Sequence, residues 1–136
     1  MAQVKQFETD IAIIGSGGAG MAAGIEALDA GASAIAFEMA PEPGGAAIVS
    51  GGGCSMADTP IQKERGIQDS PDLAFDDWVT WGGPSVDQVW ARYYIEHSLH
   101  DLYFWAEGLG VKWVDMKQQE GNSVPRWTRP ERNGLG

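Results

Sequence analysis

A glycine-rich segment near the start of the chain has the spacing of a dinucleotide-binding turn. Gly15-Ser16-Gly17-Gly18-Ala19-Gly20 matches the pattern G-x-G-x-x-G. In this pattern the first glycine permits a tight turn, the second lets the backbone approach a pyrophosphate, and the third allows close packing of helix on strand. The pyrophosphate would lie at the helix N-terminus, where free N–H groups and the helix dipole favour negative charge. The alternative is a glycine-rich turn that binds no ligand.

An acidic residue stands where this motif needs one. Glu38, followed by Met39, closes the second predicted strand, where a carboxylate can accept hydrogen bonds from ribose hydroxyls. Its charge disfavours NADP because a 2′-phosphate would be repelled. It does not separate NAD from FAD, since both present a free adenosine ribose.

A second glycine-dense segment, residues 39–59, follows the acid directly and is predicted to form one long ordered loop. A nicotinamide dehydrogenase would be expected to continue with another helix and a third parallel strand. Glycines here would instead let backbone pass close to a large flat ligand, and a serine hydroxyl could reach a phosphate or the flavin edge. The segment therefore favours FAD, with simple flexibility as the alternative. Its candidate contacts are Gly44, Gly45, Ala46, Ser50, Gly51, Gly52 and Gly53.

The elements around these residues predict a βαβ unit over residues 8–38. Thr9 to Ile14 is a nearly continuous apolar run, typical of a central parallel strand. The helix after the turn carries an apolar stripe and ends near Gly31, and a second strand runs from Ser33 to Phe37.

A helical excursion is predicted over residues 70–114. Ser70-Pro71 is a helix start, and Gly82-Gly83 stops that helix after Trp81. A second helix is predicted to have an apolar face made by Val86, Val89, Trp90, Tyr93, Tyr94 and His97. Ser98 with Asp101 predicts a capping box for a third helix, which ends near Gly108.

The end of the chain is predicted to contain little regular structure. Val111 to Val114 predicts a short strand, and residues 115–136 a polar tail without further elements. The fold class is thus α/β, and residues 1–136 are expected to be the N-terminal part of a FAD-binding domain, with a Rossmann-like βαβ core and a helical excursion. Its doubly wound sheet is expected to be incomplete, because such a sheet needs about five parallel strands.

Composition narrows the partners. A formal charge of -10 with nine Lys and Arg residues argues against nucleic acid. Residues 1–8 lack a signal-peptide apolar run, no stretch has membrane-span length, and Cys54 has no disulfide partner. We therefore expect a cytoplasmic protein with no membrane contact, and we identify no metal ligands. Arg126, Arg129 and Arg132 form the one positive cluster, either an anion contact or a solvated tail.

The motifs together resemble the flavoprotein family of soluble fumarate reductases and 3-ketosteroid dehydrogenases. The resemblance rests on D-I-A-I-I-G-S-G-G-A-G, E-M-A-P-E-P-G-G and S-G-G-G, and it continues to G-N-S-V-P-R. It implies FAD in a Rossmann-like domain and hydride transfer that makes or removes a C=C bond next to a carbonyl or carboxylate. The family's cofactor contacts carry over to Gly15, Gly17, Ala19, Gly20, Glu38, Gly44, Gly45, Ser50, Gly52 and Gly53.

The resemblance also indicates what this chain does not carry. Ala46-Ala47 stand where similar members have hydroxyl or amide side chains, so those cofactor contacts are lost. A histidine that links flavin covalently in the related succinate dehydrogenase branch is Ala46 here, so FAD should be held non-covalently. The family's catalytic acid, arginines and histidines lie downstream of the matched region, so the catalytic residues are unknown.

The leading hypothesis is a FAD-dependent oxidoreductase acting on a small-molecule substrate, with this chain supplying the FAD-binding part. A downstream region or a partner chain would complete the fold. The alternatives are a non-catalytic nucleotide-binding module, one subunit of a split flavoenzyme, and an NAD-dependent dehydrogenase that the second glycine loop disfavours.

Overall fold

The computed structural model describes residues 5–131 and divides the chain into two compact units, which meet in sequence at Ser50 and Gly51. The first unit contains strand β1 (Ile11–Ile14), helix α1 (Gly18–Asp29) and strand β2 (Ala34–Phe37). The two strands pair in parallel, from Ile11 opposite Ala34 to Ile14 opposite Phe37. The predicted βαβ unit is therefore confirmed, and Gly31 follows the helix at a φ of 83°, as its predicted position requires.

The segment 39–59 was expected to contain no regular element, and this was wrong in two places. A short 3₁₀ helix occupies Gly45–Val49, and Cys54–Ser55 form strand β3. The 3₁₀ helix starts where Gly44 reverses the chain at a φ of 124°. The strand exists only because Cys54 and Ser55 pair with Thr128 and Trp127, far away in sequence.

The second unit combines a small antiparallel sheet with helices. Strand β4 (Trp113–Lys117) and strand β5 (Trp127–Pro130) join β3 in the order β3-β5-β4. The helices are α2 (Pro60–Glu64), α3 (Pro71–Gly82), α4 (Gln88–Ser98) and α5 (Trp105–Gly108). No helix within the described residues is long and apolar enough for a transmembrane span.

Helix α3 begins and ends where the sequence predicts. The Ser70 hydroxyl accepts a hydrogen bond from the Leu73 N–H at 3.1 Å, and Gly83 follows the last turn at a φ of 62°. Helix α2 was not predicted, although Thr59 and Gln62 form a reciprocal capping box around Pro60. That signal was present in the sequence, but the helix is only five residues long.

The predicted capping box at Ser98 is wrong. Ser98 has helical backbone angles, is buried, and donates its hydroxyl to the Ile95 carbonyl oxygen instead of capping a new helix. The chain continues from α4 through a π-helical segment, Leu99–Phe104, into α5. A buried serine can return its hydroxyl to the preceding turn, so the Ser-x-x-Asp spacing here mimics a cap.

The predicted apolar face of α4 is also not the buried one. Val89, Trp90 and Tyr93 are 79%, 68% and 50% exposed, whereas Ala91 and Ile95 are buried. Ile95 joins Ala57 and Ala74 in a small core cluster between α4 and α3. Small side chains allow the helices to approach closely, so the packed face is the one with less apolar bulk.

The predicted polar tail contains β5, and the expected third strand lies in the antiparallel sheet instead of the parallel one. The pattern around Arg129 and Pro130 appeared too polar for a strand. In the sheet, Thr128 and Pro130 are buried while Trp127 and Arg129 are partly exposed, so the strand does alternate. Within residues 5–131 the parallel sheet has two strands.

A buried arginine ties the second unit together. Arg126 is 2% exposed and donates both Nε and Nη2 to the Asp69 carboxylate, at 2.8 and 2.7 Å. Its Nη1 donates to Asp77 and to the Asn122 side-chain oxygen. The Gln62 side chain donates to Asp69 Oδ2, which also accepts from Arg126 Nε, and to the Pro125 carbonyl oxygen, both at 2.8 Å. The network connects the helices to the segment that enters β5.

We expect Arg126→Met to lower the free energy of unfolding by about 3–5 kcal/mol, because it leaves the Asp69 carboxylate buried without its cation. Arg65→Met is the matched control, since the Arg65–Asp115 pair is solvent-exposed and such pairs contribute about 0–1 kcal/mol. Urea unfolding of both variants measures the difference. Equal effects would contradict the structural role of the buried pair.

Candidate functional site

The glycines of the fingerprint turn have different structural causes. Gly15 has a φ of 89°, which side-chain-bearing residues rarely adopt, and its N–H donates to the Phe37 carbonyl oxygen at 2.8 Å. A Cβ on Gly20 would collide with the Gly15 carbonyl oxygen. The protein's own backbone and packing therefore require glycine at both positions.

Gly17 is different because nothing in the protein requires it. Its φ is −68°, and a Cβ built there would meet no atom within 4 Å. The space beside Gly17 is therefore open at the N-terminus of α1. A glycine that the fold does not need, at the place where a pyrophosphate would approach, fits a ligand-bearing turn.

The N-terminus of α1 is suited to an anion. Gly17 is its N-cap and supplies no side-chain cap, and the first turn contains no acidic residue. The Gly17 carbonyl oxygen accepts from the Met21 N–H at 2.9 Å. N–H groups in a first helical turn have no acceptor within the helix. They could hold the phosphates of a dinucleotide.

Ser16 connects three segments of the first unit. Its side chain is buried, and its N–H and hydroxyl both donate to Glu38 Oε2, at 2.9 and 2.6 Å. Its carbonyl oxygen accepts from the Gly44 N–H at 2.9 Å. The fingerprint turn, the acid after β2 and the start of the second glycine loop are therefore joined at this residue.

The Glu38 carboxylate is held in its charged form. The hydrogen bond from the Ser16 hydroxyl, with further bonds from backbone N–H groups, lowers the pKa of Glu38 to about 2. Oε1 accepts from the Ala40 N–H at 2.9 Å. A carboxylate has about four acceptor positions, so three such bonds leave capacity for a ribose hydroxyl. Met39 beside it is fully exposed.

The second glycine loop lies against the fingerprint turn. A Cβ on Gly45, whose φ is 51°, would be 3.2 Å from the Gly17 Cα, so the two backbones approach closely. A Cβ built on Gly18 would lie 3.9 Å from the Cβ of Ala47. Ala46 is in the 3₁₀ helix and offers only a methyl group. Within the first unit, the structure thus brings together the turn, Glu38 and Gly44 to Ala47.

The remaining glycines of the loop belong to the second unit. Gly53 packs so closely on the Trp127 ring that a Cβ would overlap it, and Gly52 has a φ of 66°. Gly51 resembles Gly17, since a Cβ there would meet nothing within 4 Å. The Ser50 N–H donates to the Ala47 carbonyl oxygen at 3.1 Å and closes the 3₁₀ helix.

Two of the three arginines in the predicted cluster form ion pairs within the described residues. Arg126 is engaged with Asp69 and Asp77, and Arg129 pairs with Asp115 at 3.6 Å. Arg132 lies outside the described residues. The residues that neutralise Arg126 come from α3 and the segment before it, and no sequence motif indicated that pairing. Within residues 5–131 no group of three His, Cys, Asp or Glu residues could hold a metal ion.

Known proteins are similar to this chain in sequence and in fold. A cytochrome-type fumarate reductase of Shewanella frigidimarina is 36% identical over 96% of this chain, which spans 23% of that protein. A KsdD-like steroid dehydrogenase of Mycolicibacterium smegmatis is 30% identical over 88% of this chain, which spans 25% of it. A 3-ketosteroid Δ4-(5α)-dehydrogenase of Rhodococcus jostii RHA1, solved with 4-androstene-3,17-dione, superposes with a TM-score of 0.82 at 28% identity, over 94% of this chain and 32% of that one.

The family model of the FAD binding domain matches residues 10–133, which is most of the chain. The predicted resemblance and cofactor are confirmed by this match and by the fumarate reductase and steroid dehydrogenase relatives. The chain belongs to the FAD binding domain family.

Proposed function

We propose that the chain supplies the FAD-binding part of an oxidoreductase that forms or reduces a C=C bond next to a carbonyl or carboxylate. The open space beside Gly17, at an uncapped helix N-terminus, is the observation that carries the nucleotide assignment. The relatives carry the reaction class, because they are named as fumarate reductases and steroid dehydrogenases. The chain spans only about a quarter of their length.

Most of the predicted contacts have a role in this proposal. The N–H groups at the start of α1, from Gly17 to Gly20, bind the pyrophosphate, and Glu38 binds the adenosine ribose. Gly44, Gly45 and Ala46 pass beside the phosphates, and Ser50 to Gly53 continue toward the flavin. When bound, FAD supplies the hydride acceptor or donor. The contribution that we propose for this chain is to bind and orient that cofactor.

Further polypeptide should cover the parallel strands. Ile14 and Phe37 are 83% and 51% exposed, yet parallel sheets are normally covered on both faces. We propose that additional chain, in the same polypeptide or in a partner, completes the sheet and supplies the substrate site. A small-molecule substrate and a cytoplasmic location complete the proposal.

Gly17→Val should abolish FAD retention without unfolding the protein, since the side chain enters only the space that the pyrophosphate needs. Gly20→Ala is the control for a packing glycine and should lower the melting temperature, because its methyl group collides with the turn backbone. Flavin absorbance per protein and thermal melts of both variants in the complete protein test this. A Gly17→Val protein with normal flavin content would overturn the nucleotide assignment.

Ser16→Ala should raise the pKa of Glu38 from about 2 toward its ordinary value of 4.5. The charged Glu38 carboxylate, which accepts hydrogen bonds from the ribose, is present at pH values above its pKa. FAD binding therefore weakens as the pH falls through that pKa. As the pH is lowered, the Ser16→Ala variant should therefore lose FAD affinity at a higher pH than the wild type does.

Glu38→Ala should weaken FAD binding about ten-fold or more at neutral pH.

Ser33→Ala is the matched control. Ser33 donates its N–H and hydroxyl to Asp10 Oδ2, at 2.8 and 2.7 Å, near the opposite ends of the same two strands. Loss of the Ser33 hydroxyl should leave the pH dependence of FAD affinity unchanged. Titrations between about pH 3 and 7 compare the variants. Identical shifts for the two serine variants would show a general loss of stability instead of an effect on Glu38.

FAD should be released by acid or heat precipitation, because Ala46 cannot form a covalent bond to the flavin. Cys54 is a poor thioether donor, since burial raises the pKa of its thiol and reduces the reactive thiolate. Flavin fluorescence in the supernatant measures the release. Fluorescence that stays with the denatured polypeptide on a gel would contradict non-covalent binding.

A further inference from the structure

The second unit contains a cavity of about 240 Å³ between α3, α4 and the segment that precedes β5. Three aromatic side chains, Trp78, Trp81 and Tyr94, line it, together with Ile95 and small residues. Its polar side is formed by Asp77, Glu120, Asn122 and Arg126. All of these residues lie within 51–136.

The aromatic side chains are held by contacts with other residues that line the cavity. Trp78 and Tyr94 meet edge to face, with ring centroids 5.6 Å apart. The Tyr94 hydroxyl donates to the Ser55 carbonyl oxygen at 3.0 Å, and burial raises the pKa of Tyr94 to about 12, so the phenol stays neutral. Trp81 packs on Gly121, where a Cβ would be 2.5 Å from the indole ring.

The charges of the lining disfavour an anion. The Arg126 side chain is 3% exposed and already donates to Asp69, Asp77 and Asn122. Asp77 also accepts two hydrogen bonds from Ser123, both at 2.8 Å. Glu120 adds a further carboxylate to the rim. The cation of the cavity is therefore not available to a carboxylate ligand. Its carboxylates also attract a cation only weakly, because Asp77 is already paired with Arg126 and Glu120 is solvent-exposed.

We propose that this cavity binds an uncharged, flat ring compound with a hydrogen-bonding oxygen, and that it rejects the corresponding carboxylate. Aromatic walls favour a flat ring, and a few polar groups at one side can orient its oxygen. The cavity is smaller than the ~300 Å³ at which sites for drug-sized ligands begin, so a ligand of about two fused rings suits it. This proposed site uses residues other than the FAD contacts, and through it the chain itself would select a second ligand by shape and charge.

Three probes with one ring system test the selection by charge. Isothermal titration of the FAD-loaded complete protein compares 2-naphthol, 2-naphthoate and 2-naphthylmethylammonium. We expect 2-naphthol to bind and 2-naphthoate to bind at least ten-fold more weakly. Equal or tighter binding of the carboxylate, selective binding of the ammonium probe, or no binding of 2-naphthol would each overturn the proposal.

Trp81→Ala and Trp90→Ala form a matched pair, because these indoles are 67% and 68% exposed but only Trp81 lines this cavity. Trp81→Ala should weaken 2-naphthol binding at least ten-fold, and Trp90→Ala should leave it unchanged. Equal effects would contradict the site.

Glu120→Gln provides a second readout that does not depend on the aromatic wall. It should improve 2-naphthoate binding about two- to five-fold by removing one exposed like charge. No improvement would contradict the electrostatic part of the proposal. Flavin content is measured on the same preparations. A wild-type protein with normal flavin content that does not bind 2-naphthol would contradict only the cavity proposal. A wild-type protein that binds 2-naphthol but contains no FAD would contradict the proposed function instead.

Discussion

The hydrogen bonds of Ser16 are the interaction on which the first unit depends. One small buried residue contacts the acid after β2 through two donors and the second glycine loop through its carbonyl oxygen. Because the same residue lies between Gly15 and Gly17, the position of the turn and the position of the Glu38 carboxylate cannot vary independently. Pre-organised binding groups reduce the ordering that a ligand must impose. The backbone on both sides of Gly17 is also held in place, because Ser16 is hydrogen-bonded to Glu38 and Gly18 begins helix α1. This keeps the space beside Gly17 open.

Arg126 has the corresponding role in the second unit, with charge in place of a hydroxyl. A guanidinium presents its donors in a fixed planar fork, so contacts to Asp69, Asp77 and Asn122 together set the path of the chain before β5. That path positions Gly121 against Trp81 and thereby shapes the aromatic cavity. Burial makes the network sensitive to the loss of either partner, although such pairs do not by themselves guarantee high stability.

The proteins similar to this chain are named for quite different substrates, a fumarate reductase and steroid dehydrogenases among them. A shared cofactor domain does not determine the substrate, because specificity depends on individual sites built on the fold. In the part of this chain that the structure describes, Arg126 and Arg129 are used in internal ion pairs. The sequence pattern allowed either an anion contact or a solvated tail, and the pairing of Arg126 shows that this guanidinium is used inside the protein.

The local sequence determined those features that depend on neighbouring residues. The fingerprint turn, the βαβ unit and the cap of α3 follow from glycine conformations, apolar runs and Ser70-Pro71, all of which act over a few residues. Tertiary contacts decided the rest. Strand β3 exists because Cys54 and Ser55 pair with residues more than seventy positions later, and β5 lies between β3 and β4 and pairs with both. The buried face of α4 depends on small residues that let α3 approach. The distinction between Gly17 and the other glycines of the turn likewise required coordinates, since Gly15 differs from Gly17 in its backbone conformation and Gly20 differs in what surrounds it.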